Sequence, residues 1–296
     1  MRIAVTGASG LLGRELLRAS LVRGHQAIAA VHTHPVILPN AVEPVQLDLL
    51  EPGSVARFVA QSRPDWIIHA AAMTDVDRCE QDQRVARLAN VEATRHLLDA
   101  IRGTRIRVLF VSTDYVFDGQ SGPCAENDRV SPINVYGRTK YEAERLIAAA
   151  DPGHLIVRSA SFVGVGGPER PTFIERMLDT MRLHPPLKVA VDQLSNATPV
   201  VDLATATIEM TERALTGLWH VAHPDVLSRY DLALRLATAS QLPSSVCEPV
   251  PYATLSRPAA RPLRGGLRVD RMQATLATSF RSLESALADL ARGAHS

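Results

Sequence analysis

A tyrosine, a lysine four residues later and a hydroxyl upstream form a reactive combination in this 296-residue sequence. Tyr136 and Lys140 share one face if their segment is a helix. Thr113 ends an apolar run that begins at Val108, which is typical of a buried parallel strand. A free phenol has a pKa of about 10, and a neighbouring ammonium lowers it. The pattern predicts proton transfer to a carbonyl oxygen, with Tyr136 as donor, Lys140 tuning its pKa and Thr113 orienting the oxygen.

Lysine is rare in this sequence, which makes position 140 informative. Among 32 lysines and arginines, the lysines are Lys140 and Lys188. A compact amine shifts its pKa readily, whereas a guanidinium stays charged. The spacing Y-x-x-x-K alone is a weak motif, and an exposed tyrosine with a chance lysine is the alternative. The strand that precedes the pair favours the catalytic interpretation.

The tyrosine and lysine require a helix to hold them. Ser131 is a suitable N-cap for it, and Pro132 suits its first helical position. A second long helix is expected to follow Asp75–Glu80 and to end near Arg102. Asn90, within that helix, is a candidate polar support for the site.

A glycine-rich turn joins the first strand, Arg2 to Thr6, to an amphipathic helix that ends near Arg23. Gly7, Gly10 and Gly13 have the spacing G-x-x-G-x-x-G. Glycines at a strand-to-helix junction let the backbone approach a pyrophosphate, which binds the N–H groups of the helix N-terminus. The context predicts a nicotinamide dinucleotide site, and a glycine turn without a ligand is the alternative.

The residues after the second predicted strand indicate which cofactor is bound. A carboxylate for the ribose 2′-hydroxyl is usual about 20 residues past the first glycine. This sequence has Val31, His32, Thr33 and His34 there. We therefore expect NADP(H) as the preferred cofactor, with NAD(H) as the alternative. Two solvated loop histidines are the competing interpretation.

The order of predicted elements defines the fold class. Strands alternate with helices, which predicts an α/β protein with a doubly wound parallel sheet (Rossmann) and a smaller C-terminal substrate-binding lobe. Residues 1–160 are expected to form the NAD(P)-binding domain, with a return segment near 187–214. Residues 161–296 are expected to form mainly the lobe.

Composition narrows the partners and the compartment. A net charge of +1 gives no reason to expect nucleic acid or a membrane as partner. Three cysteines without metal-like spacing, no signal peptide and no apolar run of bilayer length indicate a cytoplasmic protein. The histidine pairs lack the third ligand of a catalytic metal site, so no metal is expected.

Four motifs together resemble one family. They are S-T-D-Y-V-F-D-G at 112–119, P-x-N-x-Y-G-x-T-K at 132–140, A-A-x-T-x-V-D-x-x-E at 71–80, and D-Q-x-x-x-x-T-P followed by D-L-A at 192–204. With them the chain resembles the dTDP-4-dehydrorhamnose reductase family of extended short-chain dehydrogenases/reductases over nearly its full length. The resemblance implies NAD(P)H-dependent reduction of a nucleotide-linked 4-keto-6-deoxysugar, and a homodimer is compatible with it.

The resemblance also implies roles for individual residues. The catalytic residues would be Thr113, Tyr136 and Lys140. The cofactor would contact Gly7, Ser9, Gly10, Leu11, Leu12, Gly13, His32, Asp48, Leu49, Ala71, Ala72, Thr74, Ser112, Tyr136 and Lys140. The nucleotide sugar would contact Val76, Asp114, Tyr115, Phe117 and Arg261.

Departures from the family pattern leave other functions open. Gly265 replaces the serine of R-P-x-x-S-x-L, and the aromatic residue after the R-S-x strand exit is displaced to Phe162. One alternative is a sugar-nucleotide epimerase or dehydratase, although Asp114 and Tyr115 after Thr113 do not match the acidic pair of dehydratases. Another is a non-catalytic NADP-binding regulatory subunit, similar to those that regulate a methionine adenosyltransferase.

Overall fold

The computed structural model describes residues 1–32, 41–166 and 171–293. The strands are β1 (Arg2–Thr6), β2 (Gln26–Val31), β3 (Glu43–Gln46), β4 (Trp66–His69), β5 (Arg107–Thr113), β6 (Leu155–Ser159), β7 (Phe162–Val163), β8 (Leu187–Ala190), β9 (Leu194–Asn196), β10 (Thr198–Pro199), β11 (Gly217–His220), β12 (Val226–Ser228) and β13 (Cys247–Val250). The helices are α1 (Leu11–Val22), α2 (Pro52–Ser62), α3 (Val76–Gln81), α4 (Gln83–Arg87), α5 (Ala93–Ile101), α6 (Val135–Ala150), α7 (Phe173–Leu183), α8 (Val200–Glu212), α9 (Arg229–Ala239), α10 (Asp270–Thr275) and α11 (Leu283–Gly293).

Seven strands form one parallel sheet in the order β11-β6-β5-β4-β1-β2-β3. Alternate residues of each strand face opposite sides, as the period of two requires. On β5, for example, Leu109 and Val111 join one apolar core, whereas Val108 and Phe110 join the other. Helices cover both sides of the sheet, and the predicted doubly wound α/β fold is confirmed.

The chain order of the sheet reverses between β1 and β4, and this creates the crevice in which such folds bind ligands. In register, Thr6 of β1 lies beside His69 of β4, and Ser112 of β5 lies beside Arg158 of β6. The carboxyl ends of these strands therefore meet at one edge of the sheet. The glycine turn follows β1 at this edge, and Thr113 ends β5 there.

The C-terminal half contributes both a lobe and a part of the sheet. Helices α7, α9 and α11 share a separate apolar core with β8 and β13. Between α7 and α9 the chain returns to the sheet: α8 packs against α1, and β11 pairs with β6 as the edge strand. The return segment expected near 187–214 thus begins in the sheet layer with α8 and continues through His220.

Two local expectations are corrected. Helix α6 begins three residues later than predicted, because Asn134 rather than Ser131 is its N-cap and accepts from the Gly137 N–H at 2.8 Å. The long helix expected after Asp75–Glu80 and up to Arg102 runs without a gap from Gln83 to Ile101, but it is not uniformly α-helical, because a π-helical turn at Leu88–Glu92 joins α4 to α5. Among the described residues, no helix is long and apolar enough to cross a bilayer.

Candidate functional site

The glycine-rich turn between β1 and α1 is tightly closed. Gly7 has a φ of 69°, a conformation that favours glycine. A Cβ atom on Gly13 would lie 2.1 Å from the carbonyl oxygen of Gly7. A Cβ on Gly7 would lie 2.8 Å from the backbone nitrogen of Ala71. Gly10 caps α1 without a side chain, so no capping side chain occupies the first N–H groups of the helix, which are the groups that bind an anion. The turn therefore has the shape and donors that a dinucleotide pyrophosphate requires.

The residues around this turn differ in what they can offer a ligand. Ser9 and Leu11 are half-buried, as are Ala71 and Ala72, while Thr74 is exposed. Leu12 is a core residue with 5% of its surface exposed. Its side chain therefore faces the protein interior, and its backbone N–H is the group that it can present to a nucleotide.

A buried hydrogen-bond chain joins the ends of β1 and β4 beneath the turn. His69 contacts the Thr6 hydroxyl through Nδ1 at 2.7 Å and the Thr94 hydroxyl through Nε2 at 3.1 Å. The Thr6 hydroxyl also accepts from the Ala71 N–H at 3.2 Å. Burial lowers the pKa of His69 to about 3, so it is neutral at physiological pH. This chain fixes the spacing between the glycine turn and the small residues after β4.

Two of the predicted cofactor contacts, His32 and Asp48, form a histidine–carboxylate pair. His32 Nε2 lies 3.3 Å from Asp48 Oδ2, and both side chains are partly exposed. Asp48 also accepts from the Leu50 N–H at 2.9 Å, and the Leu49 carbonyl contacts His96 at 3.0 Å. The sequence next to His32 contains no carboxylate, and the fold brings that of Asp48 there from just after β3. Thr33 and His34 lie outside the described residues.

Thr113 and Tyr136 lie together at the carboxyl end of β5. The Thr113 side chain is 6% exposed and accepts from the Tyr115 N–H at 3.2 Å. Tyr136 packs edge-on to Tyr115, with ring centroids 5.9 Å apart. Burial raises the pKa of Tyr136, and hydrogen bonding with Thr113 is the largest influence in the opposite direction. A phenol with a raised pKa keeps its proton at neutral pH, as a proton donor must.

Lys140 is buried beside the same strand. Its Nζ donates to the Val111 carbonyl at 2.7 Å and lies 3.9 Å from the centroid of the Phe110 ring. Burial lowers the pKa of Lys140 to about 7, and the charge of Glu144 acts in the opposite direction. The expectation that Lys140 makes Tyr136 more acidic is not met here, because burial is the largest influence on both groups and disfavours their charged forms.

A buried ion pair lies behind Lys140, and the sequence analysis missed it. Arg158 donates to both oxygens of Glu144, at 2.9 and 2.7 Å, and Ser112 donates to the same carboxylate at 2.5 Å. The side chains of the pair are 3% and 4% exposed. Glu144 follows Lys140 by four residues, which is the signal that could have revealed it. The Ser112 hydroxyl donates its proton in a hydrogen bond to Glu144, and its predicted contact with the cofactor stays a prediction.

Asn90 lies in the π-helical turn and connects two parts of the site. Its side-chain oxygen accepts from the Met73 N–H at 2.7 Å, and its amide donates to the Thr139 hydroxyl at 2.9 Å. The segment after β4 is thereby tied to α6 next to Lys140. Single π-helical turns are frequent at functional sites, and the proposed role of Asn90 as a support agrees with these contacts.

The predicted sugar-facing residues fall into two groups. Asp114 and Tyr115 follow Thr113 directly, and burial raises the pKa of Asp114 to about 6. Arg261 donates to Asp77 at 2.8 Å. Burial raises the pKa of Tyr115, and the charges of Arg229 and Arg261 act in the opposite direction. Val76 begins α3 beside Asp77 and is half-buried.

Phe117 is the most apolar member of this set. It is 3% exposed and belongs to the apolar core of the sheet. Its ring contacts the Arg158 guanidinium at 5.1 Å and the His220 ring at 5.8 Å. Its predicted contact with the sugar stays a prediction.

Fold and site together define a Rossmann protein of the extended short-chain dehydrogenase/reductase class. The chain belongs to the RmlD substrate binding domain family, which it matches over residues 1–295. It is 31% identical to the dTDP-4-dehydrorhamnose reductase of Mycobacterium tuberculosis over 293 residues, covering 97% of this chain and 91% of that one.

Solved structures give the same result. A dTDP-4-dehydrorhamnose reductase from Clostridium acetobutylicum superposes with a TM-score of 0.87 at 29% identity, covering 100% of both chains. The enzyme of that name from Bacillus anthracis, solved in complex with NADP, gives 0.85 at 25% identity and covers 97% of this chain and 96% of that one. The resemblance inferred from the motifs is therefore confirmed.

Proposed function

We propose that this protein reduces the keto group of a nucleotide-linked 4-keto-6-deoxysugar with NADPH. The observation that carries the proposal is the meeting of Thr113, Tyr136 and Lys140 beside a glycine turn with free helix N–H groups. Its family relatives named dTDP-4-dehydrorhamnose reductase support the substrate class. The relative solved with NADP supports the cofactor.

The residues of the chain have distinct tasks in this reaction. The bound dinucleotide supplies a hydride to the carbonyl carbon. Tyr136 gives its proton to the carbonyl oxygen, which is why a phenol that remains protonated is suited to the position. Thr113 donates a hydrogen bond to the same oxygen and fixes its direction. Lys140, held by the Val111 carbonyl, lies on the same helix face as Tyr136 and would hold the nicotinamide ribose of the bound dinucleotide.

We further propose how the chain divides the work. Residues 1–160, together with α8 and β11, hold the dinucleotide. The sugar nucleotide lies between this domain, which contributes Val76, Asp114 and Tyr115, and the lobe formed mainly by residues 161–296, which contributes Arg261. Cys79, Cys124 and Cys247 are buried free thiols, which suits the predicted cytoplasmic location. A homodimer stays a prediction.

The test is an NADPH-oxidation assay with a panel of dTDP- and other nucleoside-diphosphate-linked 4-keto-6-deoxysugars. We expect one NADPH consumed per sugar reduced, and slower oxidation with NADH. Product formation without net NADPH consumption would instead identify an epimerase or dehydratase. No turnover on any sugar, with a stoichiometric enzyme partner recovered by pull-down, would identify a regulatory subunit.

A further inference from the structure

A line of hydrogen bonds runs from the end of β5 into the lobe. The Thr113 hydroxyl donates to Asp114 Oδ1 at 3.2 Å, and the Ser195 hydroxyl donates to Asp114 Oδ2 at 3.2 Å. Ser195 is 3.2 Å from the Ser161 hydroxyl, which accepts from Arg229 Nη2 at 2.7 Å. A buried carboxyl group therefore lies between the catalytic threonine and a guanidinium that is two hydroxyls away.

The donors to the Asp114 carboxyl group are two hydroxyls and its own backbone N–H, and none of them carries a charge. The residue is 4% exposed, and its side-chain partners are the two hydroxyls. Gly265 faces it with no side chain: a Cβ there would lie 3.5 Å from Asp114 Oδ2 and 2.9 Å from the Leu194 carbonyl. Arg229 does not approach further, because it bonds Ser161 and stacks 4.8 Å from the Phe173 ring. A buried acid with this environment takes up a proton readily.

The direction of the Thr113 hydroxyl depends on that proton. A threonine hydroxyl has a single proton to donate. When Asp114 is ionised, the proton points at Asp114 Oδ1, as the 3.2 Å contact indicates. When Asp114 is protonated, its own O–H can donate to Thr113 Oγ1, and the Thr113 proton is free for a substrate oxygen. The two states of one carboxyl group thus give opposite hydrogen-bond directions at the site of reaction.

We propose that Asp114 is a positioning residue that acts in its protonated form, and that Ser195 and Arg229 set how readily it is protonated. The inference rests on the proposed reductase function and extends it. Asp114 keeps its proton throughout turnover, because the proton transferred to the sugar comes from Tyr136. Its task is to hold Thr113 as a donor toward the keto oxygen.

The charges that face Asp114 agree with this assignment. Burial is the largest influence and raises its pKa to about 6, while Arg229 on α9, Ser195 and Thr113 act in the opposite direction. The other titratable neighbours in the described chain are Tyr115, Tyr136 on α6 and the Cys124 thiol, whose pKa values the Asp114 charge raises. A sugar bound against the carboxyl group removes further water and favours the protonated form more strongly.

The first test replaces Asp114 by asparagine, whose amide donates to Thr113 Oγ1 at every pH. The wild-type kcat should decline as pH rises through the Asp114 ionisation, whereas the kcat of Asp114→Asn should show no decline in that interval, whatever its absolute value. A kcat of Asp114→Asn that declines over the same interval as the wild type would overturn the proposal, because the pH dependence would then not come from Asp114.

The second test moves the ionisation without touching the carboxyl group. Arg229→Gln and Ser195→Ala each remove an influence that lowers the pKa of Asp114, so the first decline in kcat should shift to higher pH in both. Arg235→Gln is the matched control, because Arg235 lies on the same helix, is 40% exposed and pairs with Glu284. A decline that stays in place in Arg229→Gln, or moves to lower pH, contradicts the inference.

A readout without substrate separates this inference from the proposed function. The Asp114 carboxyl carbon can be titrated by NMR in protein labelled with ¹³C-aspartate, with Asp114→Asn identifying its signal. Titration near or above pH 6 in the wild type, and higher in Arg229→Gln, supports the inference even if no keto sugar is reduced. Titration below the ordinary value of about 3.9 would overturn it, whatever the enzyme assay gives.

Discussion

The Lys140 ammonium nitrogen lies 2.7 Å from the backbone carbonyl oxygen of Val111. This bond joins α6, which carries Tyr136, to β5, which ends in Thr113. Because both partners are buried, no water competes for the contact. The relative position of the phenol and the threonine hydroxyl is therefore set by one side chain of the site itself.

Replacing Tyr136 by phenylalanine should remove the proton donor and leave the nucleotide pocket intact. We expect kcat to fall by at least about 100-fold, within the range of general acid catalysis, with unchanged NADPH affinity by fluorescence titration. Tyr141→Phe is the control, because Tyr141 lies on the same helix but packs against the apolar core. Wild-type turnover in Tyr136→Phe would exclude the proposed role.

A methyl group on Gly13 should force the pyrophosphate-binding turn apart. Its Cβ would lie 2.1 Å from the Gly7 carbonyl oxygen, so the turn must open. We expect a loss of about 1–3 kcal/mol in the free energy of unfolding and NADPH binding weakened by 10-fold or more, on the order of 1.4 kcal/mol. Gly53→Ala is the matched control, because the nearest atom to its Cβ is a flexible Arg57 nitrogen at 3.5 Å. Equal NADPH affinity in both variants would contradict this account.

The burial of Lys140 should be visible as a pH dependence of stability. Its pKa is lowered from 10.5 to about 7 in the folded protein, so between these values the unfolded chain binds more protons than the folded one. Stability contributed by this group therefore rises with pH in that window, with an upper slope of about 1.4 kcal/mol per pH unit. Urea unfolding of wild type and Lys140→Met from pH 7 to 9.5 should give a difference that grows with pH. Parallel curves of unfolding free energy against pH would show that the pKa of Lys140 is not lowered in the folded protein.

The Arg158–Glu144 pair should be costly to break from one side. Glu144→Gln leaves the Arg158 guanidinium, which is 3% exposed, without its carboxylate. We expect a loss of about 3–5 kcal/mol in the free energy of unfolding, as for other buried pairs that lose one partner. Glu284→Gln, which breaks the exposed pair with Arg235, should change stability by about 1 kcal/mol or less. Similar effects of the two substitutions in urea titrations would refute the prediction.

The parallel sheet could be predicted from the sequence, because the patterns that indicate its strands and turns are local. The apolar runs at β1 and β5, and the glycines after β1, each determine their own backbone and need no distant partner. The chain order of strands and helices then predicts the doubly wound topology. The residues at the carboxyl edge, such as Thr113 and Tyr136, follow from that topology.

The features that were missed depend on contacts between distant residues. Asn134 displaced Ser131 as the helix cap, and its amide also donates to the Ala260 carbonyl at 2.8 Å, a partner 126 residues away. The contacts of the Phe117 ring with Arg158 and His220 likewise join residues that are far apart in the chain. The Asp114–Ser195 contact spans 81 residues and was invisible for the same reason.

The edge strand β11 pairs with β6. In the chain it follows α7 and β8 of the lobe and precedes α9, β13 and α11. A fragment ending at residue 160 keeps the pairing of β6 with β5, but it leaves the β11-facing side of the β6 backbone unpaired and removes α8 from its place against α1. Such an open edge promotes aggregation. A graft of lobe segments between relatives therefore has to leave the recipient's own α8 and β11 in place.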